Sequence, residues 1–189
     1  MREISTDDKL PPMNLLHDIP LGENAPEEIN TIIEIPRGSH NKYEIDKSTG
    51  IIALDRANYS SAPYPFDYGF APQTLWDDGD ALDVIVLTTY PLAPGILARV
   101  RPVAILEMTD GGDADDKVIA VPMEDKRWDE VKDLDDVNKH TLKEIEHFFK
   151  TYKELKGKGN PIVIKGYGDK SKATDAILRS RKLYQEKKK

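Results

Sequence analysis

The sequence predicts an α+β fold in which a small closed β-barrel is followed by two helices, within a single domain spanning residues 1–189. Short β-branched and apolar segments recur between residues 31 and 121, at the spacing typical of small barrels. Apolar residues then repeat every three or four positions over 137–156, which indicates a long amphipathic helix. A terminal helix is predicted over 171–184.

The first third of the chain supplies an irregular segment and then strands. Residues 1–28 are rich in Pro, Asp, Glu and Asn and are predicted to be irregular, apart from a short helical turn near 14–17. The first strand is predicted at 31–35. Segments 42–46 and 50–57 read as a hairpin, because turn residues lie between two strand-like stretches.

The remaining predicted barrel strands are 84–89, a long apolar run over 96–108, and 117–121. Pro102 interrupts the long run. Because proline cannot donate to the hydrogen-bond ladder, the strand is expected to bend or bulge there.

The C-terminal third contains one further strand and the chain end. Residues 161–165 return to a strand pattern between the two predicted helices. The terminal residues 186–189 are expected to fray, since nothing apolar anchors them.

Composition excludes several classes of protein. The net charge of −7 disfavours general nucleic-acid binding, which depends on a positive surface. No apolar run approaches the roughly 18 residues that a membrane-spanning helix needs. With no cysteine, disulfides and thiolate metal sites are ruled out. We therefore expect no nucleic-acid partner, no membrane association and a cytoplasmic location.

Two acidic clusters are the most informative feature. Asp78, Asp80 and Asp83 lie directly before a predicted buried strand, and a second cluster containing Asp110 and Asp115 follows about thirty residues later. Such close carboxylates repel one another unless something neutralises them, and a hard divalent cation does so with oxygen ligands. Since Asp and Gly also favour turns, two ordinary acidic surface turns remain an alternative.

Basic and phenolic residues accompany the acidic ones. Lys42 and Glu44 share one face of a predicted strand, and the guanidinium of Arg56 can grip phosphate oxygens in bidentate fashion. Tyr152 and Lys153 lie on the long predicted helix, where Tyr152 is either a core residue or a site residue. Other candidates lie elsewhere in the chain: Glu34, between isoleucines and facing either inward or outward; Tyr68, in a predicted loop with Asp67 as a turn residue; and Lys117, directly after the second acidic cluster.

Nine short segments of the chain occur in the order in which they occur in one known family. By these segments the chain resembles the family I (soluble) inorganic pyrophosphatases. The resemblance covers the chain from about residue 18 to the terminal helix. The segments are 33–36, 42–46, 55–56, 64–69, 78–84, 90–95, 101–103, 108–110 and 147–153.

The resemblance implies a role for each matching residue. Asp78, Asp83 and Asp115 would hold the tightest metal, with Asp83 bridging to a second. Asp80 would help to deprotonate the attacking water. The remaining implied roles fall into two sets: Asp110, with Asp115 and Glu34, for the metals that arrive with substrate, and Lys42, Arg56, Lys117, Tyr152 and Lys153 for the phosphate groups, supported by Tyr68 and Glu44.

The resemblance further implies a five-stranded OB-like barrel with both helices packed outside, and several Mg²⁺ ions per active site, for which Mn²⁺ is a possible substitute. Pyrophosphate would bind as its magnesium complex and be hydrolysed by in-line attack of metal-activated water, without a covalent enzyme intermediate. Relatives are cytoplasmic and usually homohexameric. Two departures are the Ala81 that stands where the family usually has Pro, and an ambiguity over whether Lys156 or Lys158 takes a family lysine position.

Two other functions stay open on the sequence alone. One is a non-enzymatic OB-type module that binds nucleic acid or a protein, although an aromatic content of 7% offers few stacking platforms. The other is an acidic protein that binds cations without turnover.

Overall fold

The computed structural model describes residues 13–157 and 161–188. Its strands follow the order expected for an α+β barrel. In chain order they are β1 (Ile29–Ile35), β2 (Asn41–Ile45), β3 (Ile52–Ala57), β4 (Asp67–Phe70), β5 (Asp83–Val86), β6 (Leu97–Asp110), β7 (Asp113–Ala114), β8 (Lys117–Pro122) and β9 (Ile162–Gly168).

Five of these strands close into a ring. They pair in the order β1–β4–β5–β8–β6, and β6 returns to pair with β1. All of these pairings are antiparallel except β5–β8, which is parallel. The predicted five-stranded OB-like barrel is therefore confirmed.

The long strand β6 behaves as its proline predicts. Its register with β8 shifts between Pro102 and Ala104, so the strand bulges at the residue that lacks an N–H group. Beyond the bulge, β6 pairs with the short strand β7 and with β9. Its length of 14 residues lets it serve the ring and this extension together.

Strand β4 corrects two predictions. The sequence predicts a loop at Tyr68 and a turn residue at Asp67. Both belong to β4, and Asp67 is fully buried, where its carboxylate accepts hydrogen bonds from the Arg37 and Leu92 N–H groups at 2.8 and 3.0 Å and from the Thr88 hydroxyl. At Gly69 an added Cβ would collide with the Ile32 carbonyl, so glycine permits the close approach of β1.

The predicted hairpin is present as β2–β3, and it forms a two-stranded sheet separate from the ring. The Ile45 N–H of the hairpin donates to the Glu34 carboxylate of β1 at 2.7 Å.

Two helices pack outside the barrel. Helix α1 (Lys139–Thr151) is shorter than its predicted range, because the chain leaves it at Tyr152 and adds a 3₁₀ turn at Glu154–Lys156. Helix α2 (Lys170–Lys187) extends into the tail for which fraying was predicted. Over the part of the chain that the structure describes, neither helix has an apolar stretch of the length that crossing a bilayer requires.

Alternate residues of the ring strands serve two buried clusters. Ile85 and Ile119 belong to a cluster with the α1 aromatic Phe148, whereas Val84 and Val118 belong to a cluster with residues of α2. Since successive strand side chains point to opposite faces, β5 and β8 are buried on both sides. The ends of these strands are consequently held in fixed positions.

The predicted turn near 14–17 is present, with the Asp18 N–H donating to the Asn14 carbonyl at 2.8 Å. The ambiguity between Lys156 and Lys158 stays open, because Lys158 lies outside the described residues.

Candidate active site

A cavity of about 220 Å³ lies where one end of the barrel meets the β2–β3 hairpin and the end of α1. Its lining includes every predicted site residue except Arg56. Those residues are Glu34, Lys42, Glu44, Tyr68, Asp78, Asp80, Asp83, Asp110, Asp115, Lys117, Tyr152 and Lys153. The two acidic clusters therefore face a common space and are not separate surface turns.

The parallel pairing of β5 with β8 explains the convergence. Asp83 and Lys117 are the first residues of these strands and are direct partners in the register. Parallel strands begin at the same edge, so the residues before each strand also meet there. Asp78 and Asp80 approach from the β5 side and Asp115 from the β8 side.

Lys117 lies between two carboxylates at the floor of the cavity. Only 2% of it is exposed. Its Nζ is 2.6 Å from Asp83 Oδ2 and also pairs with Asp115. Burial lowers the pKa of Lys117, but the charges of Asp83 and Asp115 outweigh it and hold that pKa above its ordinary value. One ammonium thus serves two carboxylates, which leaves a surplus of negative charge.

Burial makes three of the cavity carboxylates hard to ionise: Glu34, Asp78 and Asp115. Burial, with the charge of nearby Asp83, raises the pKa of Glu34 to about 8. Burial likewise raises the pKa of Asp115 to about 7 and that of Asp78 above its usual range. Glu34 is 6% exposed, which decides the open question of its orientation: it faces inward.

Residues 76–80 form a tight turn, called here the aspartate loop. The Trp76 N–H donates to the Asp80 carbonyl at 2.7 Å, and the Asp80 N–H donates to Asp78 Oδ1 at 3.0 Å. Gly79 has a φ of +89°, a conformation that side chains with a Cβ rarely adopt. These bonds close the loop ahead of Ala81. The effect of having Ala81 in place of proline on the rigidity of the loop stays a prediction.

The hairpin supplies a second wall and two residues that the sequence did not single out. Lys42 pairs with Glu44 and lies 3.4 Å from Asp55 Oδ2, while Lys47 pairs with Asp80. Arg56 is opposite Lys42 in the register and pairs with Asp55, so it stands beside the cavity. Asp55 and Lys47 were missed because a charged residue at a strand end or turn gives no sequence signal of its tertiary partner.

The end of α1 supplies the third wall. Tyr152 stacks on Phe148, with ring centroids 5.2 Å apart, and also lines the cavity, so it is both a core and a site residue. Burial raises the pKa of Tyr152 and of Tyr68 well above the ordinary value, so both phenols stay protonated as donors. Lys153 pairs with Asp110, whose buried Oδ1 has no hydrogen-bond partner in the described chain.

Comparison with known proteins identifies the family of the chain. The family model for inorganic pyrophosphatase matches residues 31–185. The chain belongs to the inorganic pyrophosphatase family.

Relatives support this membership along nearly the whole length. The inorganic pyrophosphatase of Haloferax volcanii is 48% identical over 174 residues, which cover 92% of this chain and 98% of the relative. The crystal structure of the Thermus thermophilus enzyme has a TM-score of 0.88 at 45% identity, covering 92% of this chain and 99% of that one. An N-terminally truncated vacuolar soluble pyrophosphatase of Trypanosoma cruzi, solved in complex with PPi, has a TM-score of 0.83 at 28% identity, covering 93% of this chain and 80% of that one.

The donor set of this pyrophosphatase family member suits a hard divalent cation. Carboxylate oxygens surround the cavity in excess of the ammonium groups that neutralise them, and Asp110 Oδ1 is buried without a partner in residues 13–157 and 161–188. Within those same ranges, no three acidic or histidine side chains are already gathered about one point. Lysines such as Lys117 lie between the carboxylates and separate them.

Proposed function

We propose that this protein hydrolyses pyrophosphate to two phosphates by a metal-dependent attack of water. One observation carries the proposal: acidic residues from separate elements converge on a cavity whose other walls are basic and phenolic. Membership of the inorganic pyrophosphatase family supports the reaction, and the PPi complex of the Trypanosoma cruzi relative supports the substrate.

The residues that would hold the metal are those implied by the resemblance. Asp78, Asp83 and Asp115 would hold the tightest ion, and Asp110, with Asp115 and Glu34, those that arrive with pyrophosphate. We propose Mg²⁺ as the natural ion, several per site, with Mn²⁺ as a substitute, since both prefer oxygen ligands. When bound, such ions lower the pKa of coordinated water and neutralise phosphate charge.

Charge exchange would couple metal binding to substrate binding. Lys117 and Lys153 are each paired with a carboxylate of the proposed metal set. If those carboxylates held cations, the two ammonium groups would be free to contact phosphate oxygens, beside Lys42, which is paired with Glu44. Arg56, adjacent to Lys42, would add a bidentate contact, and the protonated phenol of Tyr152 would donate a further hydrogen bond.

Asp80 is the proposed catalytic carboxylate. It would orient the attacking water and accept its proton, while Arg56, Tyr152 and Lys153 stabilise the departing phosphate. Its present partner is Lys47, and both side chains are more than half exposed, so that ion pair opens at little cost. Water attacks in line, and no covalent enzyme intermediate is required.

Phosphate release from purified protein tests the proposal and separates it from the two alternatives. We expect release from pyrophosphate with Mg²⁺, less with Mn²⁺, and none with a chelator. Cation binding measured by calorimetry without any phosphate release would favour a cation-binding protein. Binding of single-stranded nucleic acid without release would favour the OB-type module.

We further propose a cytoplasmic homohexamer, which rests on the resemblance. Exposed apolar side chains such as Tyr90 at 69% and Leu97 at 49% offer surface for subunit contacts. Sedimentation velocity should give six times the chain mass of 21.3 kDa, and a monomer would contradict the proposal. Fractionation of the source cells would test the location.

A further inference from the structure

Arg179 of α2 contacts the aspartate loop but does not line the cavity. Its Nη1 donates to Asp77 Oδ2 at 3.0 Å and its Nη2 donates to Asp77 Oδ1 at 2.6 Å. This two-pronged arrangement matches the planar guanidinium to the carboxylate and restricts the orientation of both groups. Asp77 precedes Asp78 in the chain but does not line the cavity.

The same guanidinium also covers Trp76. The Arg179 Cζ lies 4.6 Å from the centroid of the Trp76 ring, within the range of a cation–π contact. The ring is 7% exposed and belongs to the buried cluster that includes Ile177 of α2. The preceding Leu75 N–H donates to the Ser180 carbonyl at 3.0 Å. Three consecutive residues, 75–77, are thereby fixed to one turn of α2.

Two backbone hydrogen bonds link the position of Trp76 to the residues that face the cavity. The Trp76 N–H donates to the Asp80 carbonyl at 2.7 Å, and the Gly79 N–H donates to the Trp76 carbonyl at 3.0 Å. A shift of Trp76 would therefore displace Asp78 and Asp80 together. The walls that carry Lys42, Lys117 and Lys153 belong to other elements and would not move with it.

We infer that Arg179 is a positioning residue: by gripping Asp77 and covering Trp76, it holds the aspartate loop so that Asp78 and Asp80 face the cavity. Arg179 touches neither the cavity nor anything that would bind in it. The inference rests on the proposed function for the roles of Asp78 and Asp80, and on the contacts above for the positioning itself.

The contact is too exposed to contribute much to global stability. The side chains of Arg179 and Asp77 are 49% and 37% exposed, and exposed pairs of this kind contribute little. Its removal should therefore change the melting temperature by no more than about 4 °C in a chain of this size. A functional change larger than the change in stability would distinguish positioning from structural support.

The test compares Arg179→Met and Arg179→Lys with Arg181→Met. Arg181 is an exposed arginine two positions further along α2, with no ion pair in the described residues, so it is a matched control. Calorimetric titration with Mg²⁺, without substrate, should give a dissociation constant about three- to tenfold higher for Arg179→Met than for Arg181→Met. This is smaller than the 10–100-fold typical of groups bonded directly to a ligand, because Asp77 is only the neighbour of Asp78.

Steady-state kinetics supply the second readout. At saturating Mg²⁺, kcat of Arg179→Met should fall about tenfold while KM for pyrophosphate stays within twofold, because the phosphate-holding residues lie on other elements. Arg179→Lys keeps the charge but loses the two-pronged contact with Asp77. Its kcat should therefore lie between the values for Arg179→Met and Arg181→Met. Asp77→Asn should reproduce the loss of affinity and rate.

The outcomes separate this inference from the proposed function. If the wild type releases no phosphate, the proposed function fails, and the calorimetric titration alone decides the inference. Equal Mg²⁺ affinity in Arg179→Met and Arg181→Met would overturn the inference whatever the activity. A lower melting temperature together with a lower kcat and a changed KM would also overturn it, since that pattern belongs to a merely structural contact.

Discussion

The barrel wall and the hairpin wall of the cavity carry similar residue types in different environments. On the barrel wall, Lys117 is almost fully buried and its partners Asp83 and Asp115 are largely so. On the hairpin wall, the Glu44 side chain is 52% exposed and Lys42 is 20% exposed. Buried charges interact strongly because water does not screen them, whereas exposed pairs contribute little. The comparison indicates that charges on the barrel wall interact more strongly with one another than the Lys42–Glu44 pair does on the hairpin wall.

Two polar contacts connect the barrel wall with the hairpin wall. Glu34 on β1 accepts the Ile45 N–H of the hairpin, and Lys47 of the hairpin turn pairs with Asp80 of the aspartate loop. Asp80 is thus the place where both walls meet, and variants on either wall test whether the two walls differ as described.

The largest effect is expected for Asp80→Asn. The substitution keeps size and hydrogen-bonding capacity but removes the negative charge that would accept a proton. We expect kcat to fall about 10²- to 10⁴-fold with an unchanged melting temperature. Phosphate-release kinetics and a thermal melt measure both quantities. Turnover close to wild type would remove Asp80 from the mechanism.

Lys117→Met should show the strength of the barrel wall. It leaves Asp83 and Asp115 without their shared cation, and breaking a buried ion pair in this way costs about 3 kcal/mol of unfolding free energy at pH 8. Added Mg²⁺ should recover part of that loss. Urea denaturation with chelator and then with Mg²⁺ is the measurement.

The matched hairpin variant for that experiment is Lys42→Met, which should lose less unfolding free energy than Lys117→Met under both conditions, because its partner Glu44 is 52% exposed. Equal losses in Lys117→Met and Lys42→Met would show that the two walls do not differ as described.

Arg56→Lys tests the contact role of the hairpin. Lysine keeps the charge but not the planar fork, so we expect kcat/KM for pyrophosphate to fall about 10- to 100-fold, the range of one charged hydrogen bond. Unfolding free energy should be unchanged, because Arg56 is paired only with its neighbour Asp55 in the described chain. Arg181→Lys is the control. An unchanged kcat/KM would exclude Arg56 from substrate binding.

The smallest effect concerns the hairpin turn. The Ser48 hydroxyl and the Thr49 N–H donate to Asp46, which lowers the pKa of this carboxyl from 3.8 to about 2. A lowered folded pKa means that the stabilisation is present above about pH 4 and is lost as the pH falls toward 2. An NMR titration should place the midpoint near pH 2, and the stability difference from Asp46→Asn should vanish over that range. A midpoint near 3.8 would contradict the hydrogen bonding described.

Much of the fold follows from local patterns. The bulge at Pro102 and the amphipathic period of α1 arise from the physics of single residues and their near neighbours, and both are confirmed. Strand β4 was missed, because Asp67 and Gly69 argue locally for a turn. Only the buried donors around Asp67 and the closeness of Ile32 make those residues suitable for a strand.

Only part of the candidate site could likewise be predicted from the sequence. The acidic clusters are visible as motifs, and resemblance identified which residues would meet. The partners that neutralise them were not visible: Lys47 and Arg179 reach Asp80 and Asp77 from distant parts of the chain. Such pairs depend on the register of strands and the seating of a helix, which residue types alone do not specify.

We propose that Asp78, Asp83 and Asp115 bind a divalent cation once Asp83 and Asp115 release Lys117. Anomalous diffraction from crystals soaked in Mn²⁺ tests it most directly. We expect a strong peak at coordination distance from all three carboxylates, with the Lys117 ammonium turned away from Asp83. Peaks confined to surface carboxylates, with Lys117 still between Asp83 and Asp115, would contradict it.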